Sequence, residues 1–410
     1  MDYEVLIGDC IESMKKLPDE SVDMCVTSPP YYGLRDYQDE NQIGLEPTLG
    51  GYVENMKKVF MQVHRILKPH GTLWLNLGDS YNGSGGAGGD YNEGGLKEGQ
   101  PKYPGRKEPS LKRKDLMGVP WRVAFALQEA GWYLRQDIIW AKPNCMPEPV
   151  KDRCTRSHEY IFMFSKKEKY FYDNTAIKEP VGDAMLRYVS NGPTHVNAFK
   201  HNAETRFGKS DANRMFNSEQ ALENVKAGRN KRDVWTVPPK PYSEAHFAVY
   251  PPDLIEPCIL AGTSAKGCCS KCGKPYVRST KKKDLGVTDA MKASGANADG
   301  TYEGKDLKDY APTTMSQQTP RTVKQRTLDS MSKAEVTVGW EVNCDCNADI
   351  VPAVVFDPFG GSGTTAGVAI KHGRSAILCE LNPDYAELIP ARIQSIAEIA
   401  KTIKDEREWL

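Results

Sequence analysis

The sequence predicts an α/β fold with a doubly wound, mostly parallel sheet that is assembled from both ends of the chain. Near the N-terminus, the apolar segment 24–27 predicts a buried strand that runs directly into two prolines. Near the C-terminus, the segment 354–357 predicts a strand that leads into a glycine-rich turn and a helix. Because open α/β sheets bind ligands beyond the carboxyl ends of their strands, both segments are expected at one site.

The first elements follow directly from hydrophobic periodicity. Residues 3–7 predict a strand and residues 11–17 a short helix. Asp9 lies between them, where its carboxylate can either cap the helix or meet a ligand. Both roles stay open for Asp9 at this point.

The turn that follows strand 24–27 has suitable chemistry for holding the exocyclic amine of a planar base. The residues of this turn are Ser28, Pro29, Pro30 and Tyr31. Two prolines cannot continue a strand ladder, so they hold the chain in an extended turn. The serine and a proline carbonyl would accept the amine hydrogens, and the tyrosine ring would stack on the base. A Pro-Pro turn without any chemistry would use the same residues.

The middle of the chain continues the alternation of helices and strands. Helices are predicted over 52–67 and 121–130, and strands over 72–77 and 157–166. His158, at the start of the last strand, is interpreted as an orienting or structural residue rather than a catalytic base.

Two cysteine pairs predict a structural zinc site. Cys269 and Cys272 form a C-x2-C knuckle, and Cys344 and Cys346 form a tighter C-x-C pair. Four thiolates from two close pairs suit tetrahedral zinc, which would tie the base of a long insertion. Cys268 leaves the identity of one ligand open, and free or redox-active thiols are the alternative interpretation.

The glycine-rich turn at 359–363 is predicted to hold a cofactor. Its glycines let the backbone approach a ligand closely, and the helix that follows offers free N–H groups. The strand 376–380 ends in an acid that is placed to hydrogen-bond ribose hydroxyls. The segment 361–366 also satisfies the dinucleotide fingerprint G-x-G-x-x-[GA], so a nicotinamide-dependent oxidoreductase is an alternative interpretation. That alternative leaves the Ser-Pro-Pro-Tyr turn unexplained. The predicted cofactor-binding residues are Asp9, Asp357, Phe359, Gly360, Gly361, Ser362, Gly363, Thr364, Thr365, Glu380 and Asn382.

Together the two turns resemble those of the DNA amino-methyltransferases, which use S-adenosylmethionine to methylate N4 of cytosine or N6 of adenine. That family has an F-x-G-x-G cofactor turn and an [S/D/N]-P-P-[Y/F/W] catalytic turn, which match 359–363 and 28–31. The catalytic turn comes first, as in the circularly permuted β group of the family. The resemblance implies a Rossmann-like methyltransferase fold, an acid at Asp9 that faces the cofactor's adenine, and a target base that flips out of the duplex.

The resemblance also bears on the target base. Members that act on cytosine N4 commonly carry Ser before the two prolines, whereas adenine N6 enzymes commonly carry Asp or Asn. Ser28 therefore favours cytosine N4, with adenine N6 as the alternative. Methylation of RNA is a more remote alternative.

Length, charge and composition limit the partners and the compartment. The chain has 410 residues and a formal net charge of zero, so any surface for nucleic acid has to be local. Eleven cysteines without secretory features favour a reducing compartment, and no apolar run approaches membrane-spanning length. We expect a cytoplasmic monomer or homodimer, in a prokaryotic cell or an infected host, that acts on double-stranded DNA. Whether a cognate restriction endonuclease accompanies it stays open.

Five segments are predicted along the chain. Catalytic elements occupy 1–175, including a flexible glycine-rich loop at 82–115, and a target-recognition region rich in Asn, Lys and Arg occupies 176–233. A return segment (234–262), a zinc-knotted insertion (263–349) and the cofactor-binding part (350–410) follow. A solvated insertion without function would resemble 176–233 in composition, so the assignment to recognition depends on position in the chain.

Overall fold

The computed structural model describes residues 2–34, 42–83, 108–145, 147–148, 150–182, 228–240, 249–282, 303 and 335–408. Most of the predicted glycine-rich loop, most of the predicted recognition region and much of the predicted insertion lie outside these residues. The chain divides into two compact units. The first unit comprises Met1–Ala176, Arg232–Val277 and Val342–Leu410, and the second comprises Ile177–Lys231 and Arg278–Glu341.

Twelve strands are found in the described residues. They are β1 (Tyr3–Ile7), β2 (Val22–Thr27), β3 (Leu67–Leu77), β4 (Tyr133–Ala141), β5 (His158–Ser165), β6 (Val234–Thr236), β7 (Cys268–Cys269), β8 (Val277–Lys282), β9 (Glu335–Glu341), β10 (Ile350–Val351), β11 (Val354–Asp357) and β12 (Ser375–Glu380). Eight of them form the main sheet, in the order β1-β12-β11-β2-β3-β5-β4-β6. The neighbours from β1 to β3 are parallel, and β5 runs antiparallel to both β3 and β4. The predicted mostly parallel sheet is confirmed.

The helices cover both faces of this sheet. They are α1 (Cys10–Lys15), α2 (Leu49–Ile66), α3 (Val119–Glu129), α4 (Pro252–Gly262), α5 (Thr364–Lys371), α6 (Pro383–Ala386) and α7 (Ile389–Glu408). α1, α2 and α3 pack together, as do α4, α5 and α7. Cys25 of β2 belongs to the core under α1–α3, whereas a Cβ on Gly262 of α4 would lie 3.0 Å from Sδ of its neighbour Met24. The central strand β2 is therefore buried on both faces, which explains its continuous apolar character.

The sheet has its switch point between β2 and β11. From β2 the chain continues to β3 on one side, and from β11 it continues to β12 on the other side. Met24 pairs with Val355 and Cys25 with Phe356, so the two strands lie in direct register although 330 residues separate them. The two predicted functional turns follow these two strands. The assembly of the sheet from both chain ends is thereby confirmed.

Two elements begin three or more residues before the predicted position. α2 begins at Leu49 rather than at residue 52, because Thr48 caps it by accepting a hydrogen bond from the N–H of Gly51 at 3.1 Å. β3 begins at Leu67, although Pro69 predicts a break in the chain. An irregularity in the pairing with β2 between Val22 and Met24 accommodates the proline, which has no N–H to contribute to a ladder.

Two small sheets accompany the main one. β7 pairs antiparallel with β10, with Cys269 opposite Ile350 and Cys268 opposite Val351. β8 and β9 form the other small sheet. Of the helices in the described part of the chain, none combines the length and the apolar character that crossing a membrane requires.

Candidate active site

Asp357 joins the two turns at the carboxyl ends of β2 and β11. Its carboxylate accepts hydrogen bonds from the Thr27 hydroxyl at 2.6 Å and the Thr365 hydroxyl at 2.5 Å. The Tyr250 hydroxyl (3.0 Å) and the backbone N–H of Phe359 (3.0 Å) also donate to it. Burial raises the pKa of Asp357, although the hydrogen bonds from these groups act in the opposite direction. Through these hydrogen bonds, Asp357 connects the end of β2 to the glycine turn and to the start of α5.

Two glycines in the turn are required for different reasons. Both Gly361 and Gly363 have left-handed backbone conformations, with φ of 52° and 87°. A Cβ on Gly363 would lie 2.8 Å from Cγ2 of Ile389, so this glycine permits close packing under α7. A Cβ on Gly361 would meet no atom of the described part of the chain within 4 Å, so this glycine faces open space there. Gly361 is thus the position at which the backbone of the turn is accessible to a ligand.

Polar groups converge on this open side of the turn. Within the described residues, no side chain caps α5, whose first residue is Thr364, so its N-terminal N–H groups receive no side-chain acceptor there. Ser362 is buried, and its hydroxyl has no hydrogen-bond partner within the described residues. A buried hydroxyl without a partner is costly in a folded protein, and a bound polar molecule would remove that cost.

The predicted acids of the cofactor site lie at adjacent strand ends. Glu380, at the end of β12, accepts hydrogen bonds from the N–H groups of Gly361 (2.7 Å) and Asn382 (2.9 Å), and burial raises its pKa. Asp9, after the neighbouring β1, caps α1 by accepting a hydrogen bond from the N–H of Glu12 at 2.9 Å. Asn382 caps α6 in the same way, through the N–H of Asp384. A carboxylate offers about four acceptor sites, so these roles leave both acids with capacity for a ligand.

The Ser-Pro-Pro-Tyr turn is held rigidly at both ends. The Tyr52 hydroxyl, from α2, donates a hydrogen bond to the Pro30 carbonyl oxygen at 2.9 Å. The Tyr31 hydroxyl contacts the Ser28 hydroxyl at 3.3 Å and the Glu159 carboxylate at 2.8 Å. The ring of Tyr31 lies against the backbone of Gly78, where an added Cβ would come within 2.7 Å of its Cε2 atom. The Tyr31 side chain is therefore fixed in direction by both packing and hydrogen bonds.

Three polar side chains around Tyr31 were missed by sequence reasoning. Asn76 of β3 approaches the Tyr31 hydroxyl with Oδ1 (3.2 Å) and donates from Nδ2 to Glu159 (3.3 Å). Lys142 forms an ion pair with the other carboxylate oxygen of Glu159, and its ammonium lies 4.1 Å from the ring centre of Trp140. A buried Asn within the apolar run of β3 is the one signal that could have found this cluster. His158, which precedes Glu159, is exposed and packs edge-on against Tyr160 instead.

Two further acids organise the loops near the site. Asp79 accepts hydrogen bonds from the N–H groups of Gly118 and Val119 at 3.1 and 3.0 Å, so it caps α3. Glu108 accepts a hydrogen bond from the N–H of Leu49 at 2.6 Å and thereby caps α2. The Asn82 side chain also bonds to the backbone of Glu108, since Nδ2 donates to the carbonyl oxygen at 3.0 Å and Oδ1 accepts from the N–H at 2.8 Å. Asn82 and Glu108, which flank the part of the chain between 84 and 107, are therefore bonded to each other.

The four predicted zinc ligands come together in the structure. The sulfur atoms of Cys269, Cys272, Cys344 and Cys346 all lie within 4.8 Å of one another. Backbone N–H groups of Cys272 and Lys271 lower the pKa of Cys269, whereas contacts with the neighbouring thiols raise the pKa of Cys344 and of Cys346. Cys268 is not part of this cluster, because its thiol donates a hydrogen bond to the buried carboxylate of Asp23 at 3.2 Å. The donor set of four thiols from two close pairs fits tetrahedral zinc.

The chain is similar in sequence to known DNA methyltransferases. The family model for N6- and N4-specific methyltransferases, described as DNA methylase, matches residues 22–269 and 300–391. The chain is 44% identical over 263 residues to the Type II methyltransferase M.XycI of Xanthomonas campestris pv. cyanopsidis, covering 62% of this chain and 71% of that protein. It is 42% identical over 267 residues to M.SmaI of Serratia marcescens, covering 64% and 76%. A solved structure, the PvuII DNA methyltransferase (cytosine-N4-specific), aligns with a TM-score of 0.48 and 16% identity over 98% of this chain and 93% of that one.

Proposed function

Because this chain belongs to the family of S-adenosylmethionine-dependent DNA amino-methyltransferases, we propose that it methylates the exocyclic amine of one base within a specific sequence of double-stranded DNA. The observation that carries the proposal is the meeting of the two turns. The hydrogen bond from Thr27 to Asp357 (2.6 Å) holds the Ser-Pro-Pro-Tyr turn beside the glycine turn at the switch point of the sheet. That is the edge at which such sheets bind their ligands.

The glycine turn and its neighbours form the cofactor site. The open side of Gly361, the partnerless hydroxyl of Ser362 and the uncapped start of α5 provide the backbone approach and the donors. Glu380 and Asp9, at the ends of two adjacent strands, provide acceptors for ribose hydroxyls and for the adenine amine. When bound, S-adenosylmethionine supplies an electrophilic methyl group. The protein's task is to hold an amine in line with it.

The Ser-Pro-Pro-Tyr turn orients the amine. The Ser28 hydroxyl and the Pro29 carbonyl oxygen accept its two N–H groups and thereby draw the nitrogen lone pair out of conjugation with the ring. Positive charge that develops on nitrogen is stabilised by the same acceptors, which are already in place before the reaction. The hydrogen bond from Tyr52 to the Pro30 carbonyl, at 2.9 Å, keeps this turn from moving.

A base within a duplex cannot reach this turn, so the target nucleotide flips out of the helix. The aromatic ring of Tyr31 is the surface on which the extruded base stacks, replacing the stacking lost in the duplex. We assign the choice of sequence to the region 176–233, most of which lies outside the described residues. A cognate restriction endonuclease is a second partner that this function would accommodate.

Cytosine N4 is the target amine that we favour, and adenine N6 is the alternative. The favoured target depends on Ser28, because a neutral hydroxyl is a weaker acceptor than the carboxylate or amide found at this position in many enzymes that act on adenine. Either base presents two amine hydrogens in the plane of its ring, so the hydroxyl alone does not exclude adenine.

Digestion of methylated DNA tests both the proposed enzyme class and the proposed target base. Duplex DNA is incubated with the protein and tritiated S-adenosylmethionine, digested to nucleosides and separated by mass. We expect N4-methyldeoxycytidine as the labelled product. Labelled N6-methyldeoxyadenosine alone would contradict the choice of base but leave the enzyme class intact. No transfer to any of a broad set of duplex sequences would contradict the proposed function itself.

We further propose that Cys269, Cys272, Cys344 and Cys346 hold one structural zinc ion. The clustering of four thiols from two chain segments supports this assignment. The hydrogen bond between Cys268 and Asp23 supports its exclusion from the ligand set. The ion would link the residues that directly precede the segment 273–343 to those that directly follow it, and so stabilise the base of this insertion.

A further inference from the structure

A chain of hydroxyl groups connects the Ser-Pro-Pro-Tyr turn to a partly buried ion pair. The Ser28 hydroxyl donates to the Tyr31 hydroxyl at 3.3 Å, and the Tyr31 hydroxyl donates to Oε2 of Glu159 at 2.8 Å. The first distance is longer than the usual range for hydroxyl hydrogen bonds, and such contacts in active sites often shorten in the complex with substrate. The chain ends at Glu159, whose other oxygen is bonded to Lys142.

The reaction needs a destination for one proton. An amine nitrogen that forms a bond to a methyl carbon has to lose one of its two hydrogens if the product is to be neutral. A neutral serine hydroxyl and a proline carbonyl oxygen accept hydrogen bonds well, but neither is basic enough to keep a proton. The groups that orient the amine therefore do not by themselves provide a base that keeps this proton.

We propose that Ser28, Tyr31 and Glu159 form a proton relay that carries this proton from the amine to the Glu159 carboxylate. The inference rests on the proposed function. The amine gives its proton to the Ser28 hydroxyl oxygen, the original Ser28 proton passes to the Tyr31 oxygen, and the original Tyr31 proton passes to Oε2 of Glu159. Both hydroxyls end neutral, and the carboxylate ends as a carboxylic acid. Glu159 acts through Tyr31 and does not touch the base.

The groups around the relay suit each step. Lys142 pairs with Oε1 of Glu159 and so leaves Oε2 to face the Tyr31 hydroxyl. Asn76 donates a hydrogen bond from Nδ2 to Oε2 of Glu159 at 3.3 Å and so holds the oxygen that receives the proton. Burial and the nearby charge of Glu159 raise the pKa of Tyr31 well above its ordinary value. The phenol therefore stays protonated and passes protons on, rather than acting as a base itself.

Four single-turnover rates test the relay. Glu159→Gln keeps an acceptor for the Tyr31 hydroxyl but cannot take up a proton, and Tyr31→Phe keeps the ring but breaks the relay one step earlier. We expect each variant to transfer methyl groups about 100-fold more slowly, with DNA and cofactor affinities within about twofold of wild type. The double variant is expected to be no slower than the slower single variant, because both changes interrupt one path. Glu54→Gln, an exposed change on α2, is the matched control and is expected to retain the wild-type rate.

A spectroscopic measurement that needs no methyl transfer complements the rates. In protein labelled with ¹³C at the tyrosine Cζ position, the Tyr31 signal is the one absent from Tyr31→Phe, and we expect Glu159→Gln to shift it. An unchanged Tyr31 signal, a wild-type rate for Glu159→Gln, or a double variant whose loss is the product of the single losses would each overturn the relay. If wild-type protein transfers no methyl group, the proposed function fails instead, and the two failures are therefore distinct.

Discussion

Buried carboxylates in this protein take different roles according to the donors that surround them. Asp357 receives three hydroxyls and one N–H, and burial keeps its pKa raised. Asp23 is equally buried, and burial alone would raise its pKa, but the hydrogen bond from His70 and the charge of Lys68 lower it below its usual value. The first carboxylate organises a site, whereas the second is a stable anion that is paired with the Lys68 ammonium and hydrogen-bonded to His70.

Glu256 of α4 gives a prediction for the dependence of stability on pH. It accepts hydrogen bonds from His372 (2.5 Å) and Lys371 (2.9 Å), and the hydrogen bond from His372 is the main reason why its pKa falls from 4.5 to about 2. Because the pKa is lower in the folded protein than in the unfolded chain, these contacts stabilise the fold above about pH 4.5. That stabilisation is lost as the pH falls toward 2.

We therefore expect Glu256→Gln to lower the melting temperature at pH 7 by about 2–4 °C, which corresponds to about 1–2 kcal/mol. This estimate lies below the full linkage value of about 3 kcal/mol because a quarter of the side chain is exposed, at 26%. At pH 3 the difference from wild type should shrink, as calorimetry of both proteins would measure. A difference of the same size at both pH values would contradict the role of the ionised carboxylate.

At the scale of elements, the end of each central strand positions a different part of the site. β2 leads into the turn that we propose orients the amine, β11 leads into the turn that we propose receives the cofactor, and β12 ends in the acid Glu380. Parallel pairing aligns their carboxyl ends along one edge, with Phe356 opposite Cys25 on one side of β11 and opposite Ile377 on the other. The position of β11 between β2 and β12 therefore places all three groups side by side.

The glycine turn after β11 gives a second prediction, with a matched control elsewhere in the chain. Gly361→Val would place a branched side chain on the open side of the turn, so we expect affinity for S-adenosylmethionine to fall by at least about 100-fold in titration calorimetry. Gly131 also has a positive φ (106°) and open space at its Cβ, and it precedes β4 at the opposite edge of the sheet. Gly131→Val incurs the same kind of backbone strain but should bind the cofactor normally. Unchanged affinity in Gly361→Val would contradict the assignment of the cofactor site.

At the scale of the whole molecule, one carboxylate connects distant parts of the chain. Asp23 of β2 bonds to Lys68 and His70 of β3, to the thiol of Cys268 in β7 and to the N–H of Val354 at the start of β11. Cys268 directly precedes Cys269 of the thiol cluster. The base of the proposed zinc site is thereby bonded to the two strands on either side of the switch point.

The thiol cluster gives a prediction for the metal content of the protein. Elemental analysis of carefully purified protein should find one zinc per chain. Cys272→Ser should lose the ion, because three thiolates bind zinc more weakly than four. Cys154→Ser is the matched control, since Cys154 is an exposed free thiol outside the cluster, and it should retain the ion. Zinc-free wild-type protein, or full zinc content in Cys272→Ser, would contradict the assignment.

The sequence by itself determined the features that depend on neighbouring residues. The turn at 28–31, the glycine turn at 359–363 and the strands that precede them follow from proline and glycine chemistry and from short apolar runs. The positions of these motifs near the two chain ends also predict a sheet assembled from both ends, which the pairing of β2 with β11 confirms. The cysteine pairs belong to the same class, because the spacing within each pair already predicts a shared ligand.

Only the tertiary structure decided which side chains meet across long stretches of chain. Glu159 lies 128 residues from Tyr31, and Tyr250 lies 107 residues from Asp357, yet each pair shares a hydrogen bond. Similarly, Asp79 caps a helix that begins 40 residues later in the chain. Nothing in a local pattern distinguishes such an acid from a solvated one, because its role depends on donors that only strand order and register bring to it.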